Sequence, residues 1–441
     1  MRLLAAGPET VLVSANPCGV VPRAALDMAG IPWRPGRRGE DEKSQMLRRF
    51  GALARRMTNR VLLSVGTCLV LLLLLEAGTR LFTDTQPPLR IRDVEIGQKY
   101  RPNWTGELDV RESSNRIPLR IHRDGFRGEN RPHEKPPATC RIAVIGDSQI
   151  AAIPTPEEET LVHQLERMFR ENHPEISWEV FNFGISAAST GQELVLYRKL
   201  VTKYDPDIVV CAYYVGNDFS DNCSSLDSNP RIYMKLNENG ELEVEPYSAT
   251  RRRLSVWLNS HSRFYVWQKY KFKHLTRNVA EMGPFYEVRS GNLVYMNEDS
   301  EVLEYAWRLN EAILRTFAEE VARDGRRFLV AFIPTSEQLY DDTWAELHAR
   351  DEDAREFMER SYPNRRLSEI VVGNGIDHVF LQEVLEEHVA GRDHTVPEAQ
   401  VLYGGMGHLN ALGHELSARM IYDHFLATGV VEEQSARYGM Q

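Results

Sequence analysis

The apolar run Ile142-Ala143-Val144-Ile145 is followed at once by Gly146-Asp147-Ser148. So short a run, closed by turn residues, reads as a buried strand, and buried strands belong to sheets covered on both faces. If a helix follows the turn, the Ser148 hydroxyl stands at the carboxyl end of that strand. Open α/β sheets build their sites there, and a helix N-terminus favours negative charge. Gly, Asp and Ser are also ordinary turn residues, so the tripeptide alone is a weak signal.

Strand and helix patterns then alternate. Glu158 to Arg170 is predicted as a helix with Leu161, Leu165, Met168 and Phe169 on one side, and Trp178 to Phe183 as a strand. Ser189 to Lys203 follows as a helix, Asp207 to Val215 as a third, nearly all-apolar strand, and Glu304 to Arg323 as a long helix. Phe328 to Ile333 is a fourth strand, and Leu412 to Phe425 is a closing helix. Strands spaced by helical patterns imply α/β class, a doubly wound parallel sheet.

Residues 223–300 interrupt this order. Arg231 to Leu236 and Glu241 to Glu245 flank Asn237-Glu238-Asn239-Gly240, a hairpin signal. Arg263 to Lys273 is aromatic and basic. The stretch is expected to be an insertion beside the site, a lid or substrate wall, whose aromatic residues either stack on sugars or pack on a small core of their own.

Charge is unevenly spread. Residues 33–60 hold nine Lys/Arg against three Asp/Glu, whereas the chain from residue 61 onward carries a net −16. An acidic body argues against nucleic acid as a partner, since phosphate contacts need clustered cations. The basic block runs into Val61 to Leu75, fifteen residues without a charge. With Ala77, Gly78, Leu81 and Phe82, residues 61–82 reach the length of a transmembrane helix if Glu76 and Arg80 lie at the far interface. The arginine flank then stays in the cytoplasm and everything after residue 82 is extracytoplasmic. A cleaved signal peptide is the second reading, but the small-residue cleavage pattern is poor around Glu76-Ala77-Gly78-Thr79. Residues 1–45 are either a disordered tail or a mis-assigned start, with translation beginning at Met46 or Met57. The five cysteines show no metal-type spacing. Cys140 and Cys211 sit in strand-like runs as small buried hydrophobes.

Three later segments strengthen the first one. Gly184 lies in Phe181-Asn182-Phe183-Gly184, Asn217 in Gly216-Asn217-Asp218, and His408 in His408-Leu409-Asn410. Ser, Gly, Asn and His in that order resemble the SGNH (GDSL-type) hydrolase superfamily, over about residues 120–427. Asp124-Gly125-Phe126-Arg127-Gly128, just before the first core strand, is similar to a segment of its extracytoplasmic members, and reads equally well as a plain loop. The resemblance implies a flavodoxin-like SGNH hydrolase fold with Ser148 as nucleophile and His408 as base. Serine needs a base to take its proton, and imidazole, with a reference pKa of about 6.5, suits that work. The oxyanion hole would comprise the backbone N–H groups of Ser148 and Gly184 and the Asn217 side chain. Neither a metal nor a cofactor is implied.

Two departures stand out. The family usually places an aspartate two or three residues before the histidine, where this chain has Met406 and Gly405. Either a backbone carbonyl orients His408, or Asp393 folds in as the orienting acid, or activity is reduced. Gln149-Ile150-Ala151-Ala152 also replaces the aromatic and glycine that many relatives carry after the serine, which is expected to reshape the acyl pocket.

The expected organisation is a tail or mis-assigned start over 1–45, a basic flank over 46–60 and an anchor over 61–82. A linker and lead-in over 83–138 precede an SGNH hydrolase-like domain over 139–430 and a tail over 431–441. The expected function is a serine esterase, with O-acyl groups of extracytoplasmic carbohydrate as the substrate class that the resemblance implies. An O-acetyltransferase on surface polysaccharide and a non-catalytic glycan-binding module are the alternatives.

Overall fold

The structure is a computed structural model that describes residues 38–438, apart from 84–87, 94, 110–115, 228–230, 246–253, 255–256, 260, 270, 272–292, 351–354, 393–399 and 403–406. The chain divides into two units, Met1–Leu81 and Phe82–Gln441.

In the first unit lies most of one long helix, α1 (Arg38–Phe82). Its stretch Gln45–Phe82 is long and apolar enough to cross a bilayer, and Leu69 to Leu75 are exposed around it. Glu76 and Arg80, the two charges within the expected span, pair with each other at 2.7 Å across one turn. The helix is longer than the expected 61–82, because the basic flank is helical too.

The second unit begins with two antiparallel hairpins, β1 (Arg90–Asp93) with β2 (Gly97–Tyr100), and β3 (Thr105–Asp109) with β4 (Arg116–Arg120). Then comes the core: β5 (Thr139–Gly146), α2 (Ser148–Ala151), α3 (Leu161–Asn172), β6 (Ser177–Gly184), α4 (Thr190–Lys199), β7 (Ile208–Tyr214) and α5 (Asp218–Asp221). A small hairpin, β8 (Met234–Leu236) and β9 (Leu242–Val244), turns at the expected Asn-Glu-Asn-Gly. The rest of the 223–300 stretch lies largely outside the described residues. The chain continues with α6 (Glu301–Arg323), β10 (Arg327–Ile333), α7 (Ser336–Leu339), α8 (Asp341–Arg350), α9 (Tyr362–Gly373), β11 (His378–Phe380), α10 (Gln382–Val389), α11 (Ala411–Ala427) and α12 (Val430–Tyr438).

Five strands form one parallel sheet in the order β11-β10-β7-β5-β6. Numbered by their own succession this is 2-1-3-4-5, the flavodoxin-like order, whose direction reverses between β5 and β7. All eight residues of β5 are buried. Ala143 and Ile145 pack with Leu194, Leu309 and Leu367 of α4, α6 and α9, while Ile142 and Val144 pack with Leu165, Leu385 and Ile421 of α3, α10 and α11. Both faces are therefore covered, as the unalternated apolar run requires. Cys140, Cys211 and Cys223 are buried free thiols.

Candidate active site

Gly146 lets β5 turn sharply, because a Cβ there would meet Ile150 Cγ1 at 2.5 Å. Asp147 caps α2, accepting from the Gln149 N–H at 2.8 Å, so Ser148 is the first residue of the helix at the strand's carboxyl end. The other end of α2 is held by Arg127, which is 1% exposed. Its guanidinium donates to the carbonyls of Ala151 (3.1 Å), Ala152 and Thr155 (2.7 Å). A helix this short leaves its last carbonyls without intrahelical partners, and Arg127 supplies them. The Asp-Gly-Phe-Arg-Gly segment is thus a clamp on the nucleophile's helix. Phe126 anchors it in the core, stacked on His122 and tilted against Phe183.

β6 supplies a second clamp. Asn182 Nδ2 donates to the Ile150 carbonyl at 2.7 Å, and Asn182 Oδ1 accepts from the Gly184 N–H at 3.0 Å. The following loop carries Ala187 at φ 61°, in the left-handed region. The β1–β2 hairpin fixes it. Gln98 Nε2 donates to the carbonyls of Ser186 (3.0 Å) and Ala187 (2.8 Å), Arg90 donates to the Ser186 carbonyl (2.7 Å), and the Tyr100 hydroxyl lies 2.7 Å from Ser186 Oγ. What reads as a polar lead-in is therefore part of the site's wall.

β7 contributes Asn217, whose Nδ2 donates to Asp147 Oδ2 at 3.2 Å. His408 arrives from the segment before α11, where Asn410 caps the helix through the Gly413 N–H at 2.9 Å. His408 Nε2 lies 3.0 Å from Ser148 Oγ. The serine hydroxyl is also 3.4 Å from Asp147 Oδ2. Asp393 and the residues Gly404 to Met406 lie outside the described residues.

A cavity of about 440 Å³ opens over this pair, walled by Leu89, Tyr100, Ile153, Pro154, Ser186 and Ala187 among others. Three carboxyl groups of the elements around the site, Asp147, Glu193 and Asp218, are buried. Burial pushes Asp147 up from the usual carboxylate range, against the opposing pull of the Gln149 N–H, Asn217 and His408. Burial, and then the neighbouring Asp147, push Glu193 well up, and burial with Glu193 and Asp147 does the same for Asp218. Among the described residues, no group of three His, Cys, Asp or Glu side chains is placed to hold a metal ion.

Of the sequence candidates, Ser148, Asn217 and His408 come together at the switch point between β5 and β7. Gly184 lies one layer down, packed on α2, with its N–H taken by Asn182. Arg90, Gln98, Tyr100 and Asn182 carry no sequence signal for their roles, because each acts through contacts with loops distant in the chain.

A doubly wound parallel sheet of flavodoxin-like order, with serine and histidine paired at its carboxyl edge, defines the class: an α/β fold of SGNH hydrolase type. Among solved structures, the chain is similar to a G-D-S-L family protein from Desulfitobacterium hafniense DCB-2, at 10% identity and TM-score 0.33 over 64% of this chain and 98% of that one. It is similar to a catalytic mutant of an acetylxylan esterase from Geobacillus stearothermophilus, at 14% identity and TM-score 0.36 over 66% and 96%. It is also similar to a lipase/acylhydrolase from Enterococcus faecalis, at 13% identity and TM-score 0.32 over 66% and 96%. At these TM-scores the likeness adds no weight to the sheet order and side-chain geometry. No protein-family model matches the chain. No curated protein matches it.

Proposed function

We propose that this chain is a serine esterase of SGNH type that works through an acyl-enzyme on Ser148. The observation that carries the proposal is the 3.0 Å approach of His408 Nε2 to Ser148 Oγ beneath an open cavity. Ser148 Oγ attacks the ester carbonyl carbon while its proton passes to His408 Nε2. Collapse of the tetrahedral intermediate breaks the ester C–O bond, and the leaving alcohol takes that proton. Water, activated by the same imidazole, then releases the acid and restores Ser148.

The oxyanion is assigned to the Ser148 N–H, the Asn217 carboxamide and an amide of the Gly184–Ala187 segment. Within that segment the Gly184 N–H already has Asn182 as acceptor, while Ala187 lines the cavity. Each donor of such a hole is typically worth about 10²–10³ in rate.

The substrate class is an acyl ester, with O-acyl groups of carbohydrate as the reading that the family resemblance supports. Residues 61–82 of the apolar helix are assigned as an anchor, with the arginine-rich flank before them cytoplasmic and the hydrolase unit extracytoplasmic. The test is hydrolysis of p-nitrophenyl acetate by the full chain in detergent, beside Ser148→Ala and His408→Ala. Both variants are expected to lose turnover by orders of magnitude; wild-type turnover in Ser148→Ala refutes the nucleophile. Acyl recovered on an added glycan hydroxyl, rather than on water, would make the enzyme a transferase with the same first step.

A further inference from the structure

Gln149 follows the nucleophile directly and is 1% exposed. Its own N–H is bound to Asp147 Oδ1 at 2.8 Å, so its main chain belongs to the same rigid turn as Ser148. Its side chain does not line the cavity. Instead, Nε2 donates to the Gly407 carbonyl at 2.8 Å, and Oε1 accepts from the Leu409 N–H at 3.0 Å. These are the main-chain groups of the two residues on either side of His408.

One planar carboxamide thus spans the peptide carrying the base, donor facing carbonyl and acceptor facing amide. Of side chains this size, only an amide or a protonated acid can do both; a carboxylate only accepts, and an apolar chain does neither. Gly407, at φ 65°, allows the backbone to present both groups. On its far side the segment is pinned by the Leu402–Leu409 bridge and the Asn410 cap. The result is a common frame: the turn that presents Ser148 also holds the backbone of a histidine 260 positions away.

We propose that Gln149 is the positioning residue of the base. It holds His408 in register with Ser148, in a chain with no acid at positions 405 or 406. The strap governs where the ring stands; it adds no charge to it. The inference rests on Ser148 and His408 being nucleophile and base.

The test is the rate at which a fluorophosphonate labels Ser148 in the detergent-solubilised full chain. Gln149→Met, close in shape and unable to make either bond, should slow labelling about 100-fold, the scale of an ångström-sized misplacement. In a His408→Ala background the same substitution should change the rate by less than about twofold, because Gln149 acts through His408. Gln149→Glu gives a second signature. Its carboxyl can donate to the Gly407 carbonyl only while protonated, so its labelling should fall as pH rises through that titration, where the wild type's does not. Circular dichroism that stays unchanged across that pH range separates this loss from reversible unfolding of the variant. Labelling of Gln149→Met within about twofold of wild type, equal losses in both backgrounds, or no extra alkaline loss in Gln149→Glu would each overturn the inference while leaving the nucleophile in place. A wild-type chain that is not labelled at Ser148 overturns the esterase reading and this inference together.

Discussion

The Cα of Gly184, at the end of β6, lies so close to α2 that a methyl group there would stand 2.2 Å from the Ala151 amide nitrogen and 2.6 Å from the Ile150 carbonyl carbon. Both atoms are main chain, so neither can swing aside. Gly184 is bare where the nucleophile's helix approaches it. Gly184→Ala should therefore displace α2 and destabilise the fold by about 1–3 kcal/mol, as measured by denaturant unfolding. Unchanged stability would show that the contact relaxes freely.

Arg127 makes a parallel case from the other end of α2. Arg127→Met keeps much of the volume but strips donors from the carbonyls of Ala151, Ala152 and Thr155. Each buried acceptor left unpaired costs about 1–3 kcal/mol, so a loss of at least ~2 kcal/mol is expected, with slower phosphonate labelling of Ser148. A variant of normal stability and normal labelling would reduce the segment to a plain loop.

Glu193 bears on alkaline stability. Burial holds its carboxyl well above the ordinary range, so the folded chain keeps a proton that the unfolded chain gives up above about pH 4.3. Stability is then lost as pH rises above that value, at about 1.4 kcal/mol per pH unit until the folded group ionises. Glu193→Gln removes this linkage. Its melting temperature should exceed that of the wild type at pH 8 by more than at pH 5.

His414 bears on acid stability with the opposite sign. It is fully buried in α11, and burial, followed by the charges of Arg127 and His408, brings its pKa down to about 3. Between pH 6.5 and 3 the unfolded chain takes up a proton that the folded chain refuses, so stability falls as pH drops through that window. His414→Leu should flatten the acid limb of a melting-temperature profile between those limits. An unchanged limb would assign the acid loss to other groups.

Features that depend on neighbours along the chain are legible in the residues alone. β5, β7 and β10 were legible because strands buried on both faces are apolar without alternation, and β6 because Trp178, Val180, Phe181 and Phe183 are strand-forming residues. The Gly-Asp-Ser turn and the Asn-Glu-Asn-Gly hairpin were legible because turn chemistry is local. β11 was missed: three residues, His378-Val379-Phe380, carry too little pattern, and become a strand only because β10 offers an open edge. The β1–β4 hairpins were missed as well, since short, half-polar strands resemble linker until a partner pairs with them. Within the site, Ser148, Asn217 and His408 were named from their order alone, but order sets no distance. It takes the folded chain to bring Oγ and Nε2 to 3.0 Å, to set Gly184 against α2, and to place Arg127 and Gln149 on the two halves of the pair. A hydrogen bond depends on positions in space. Apolar burial, which sets the fold, reads out as pattern along the chain, whereas polar contacts between distant loops exist only once that burial has brought the loops together.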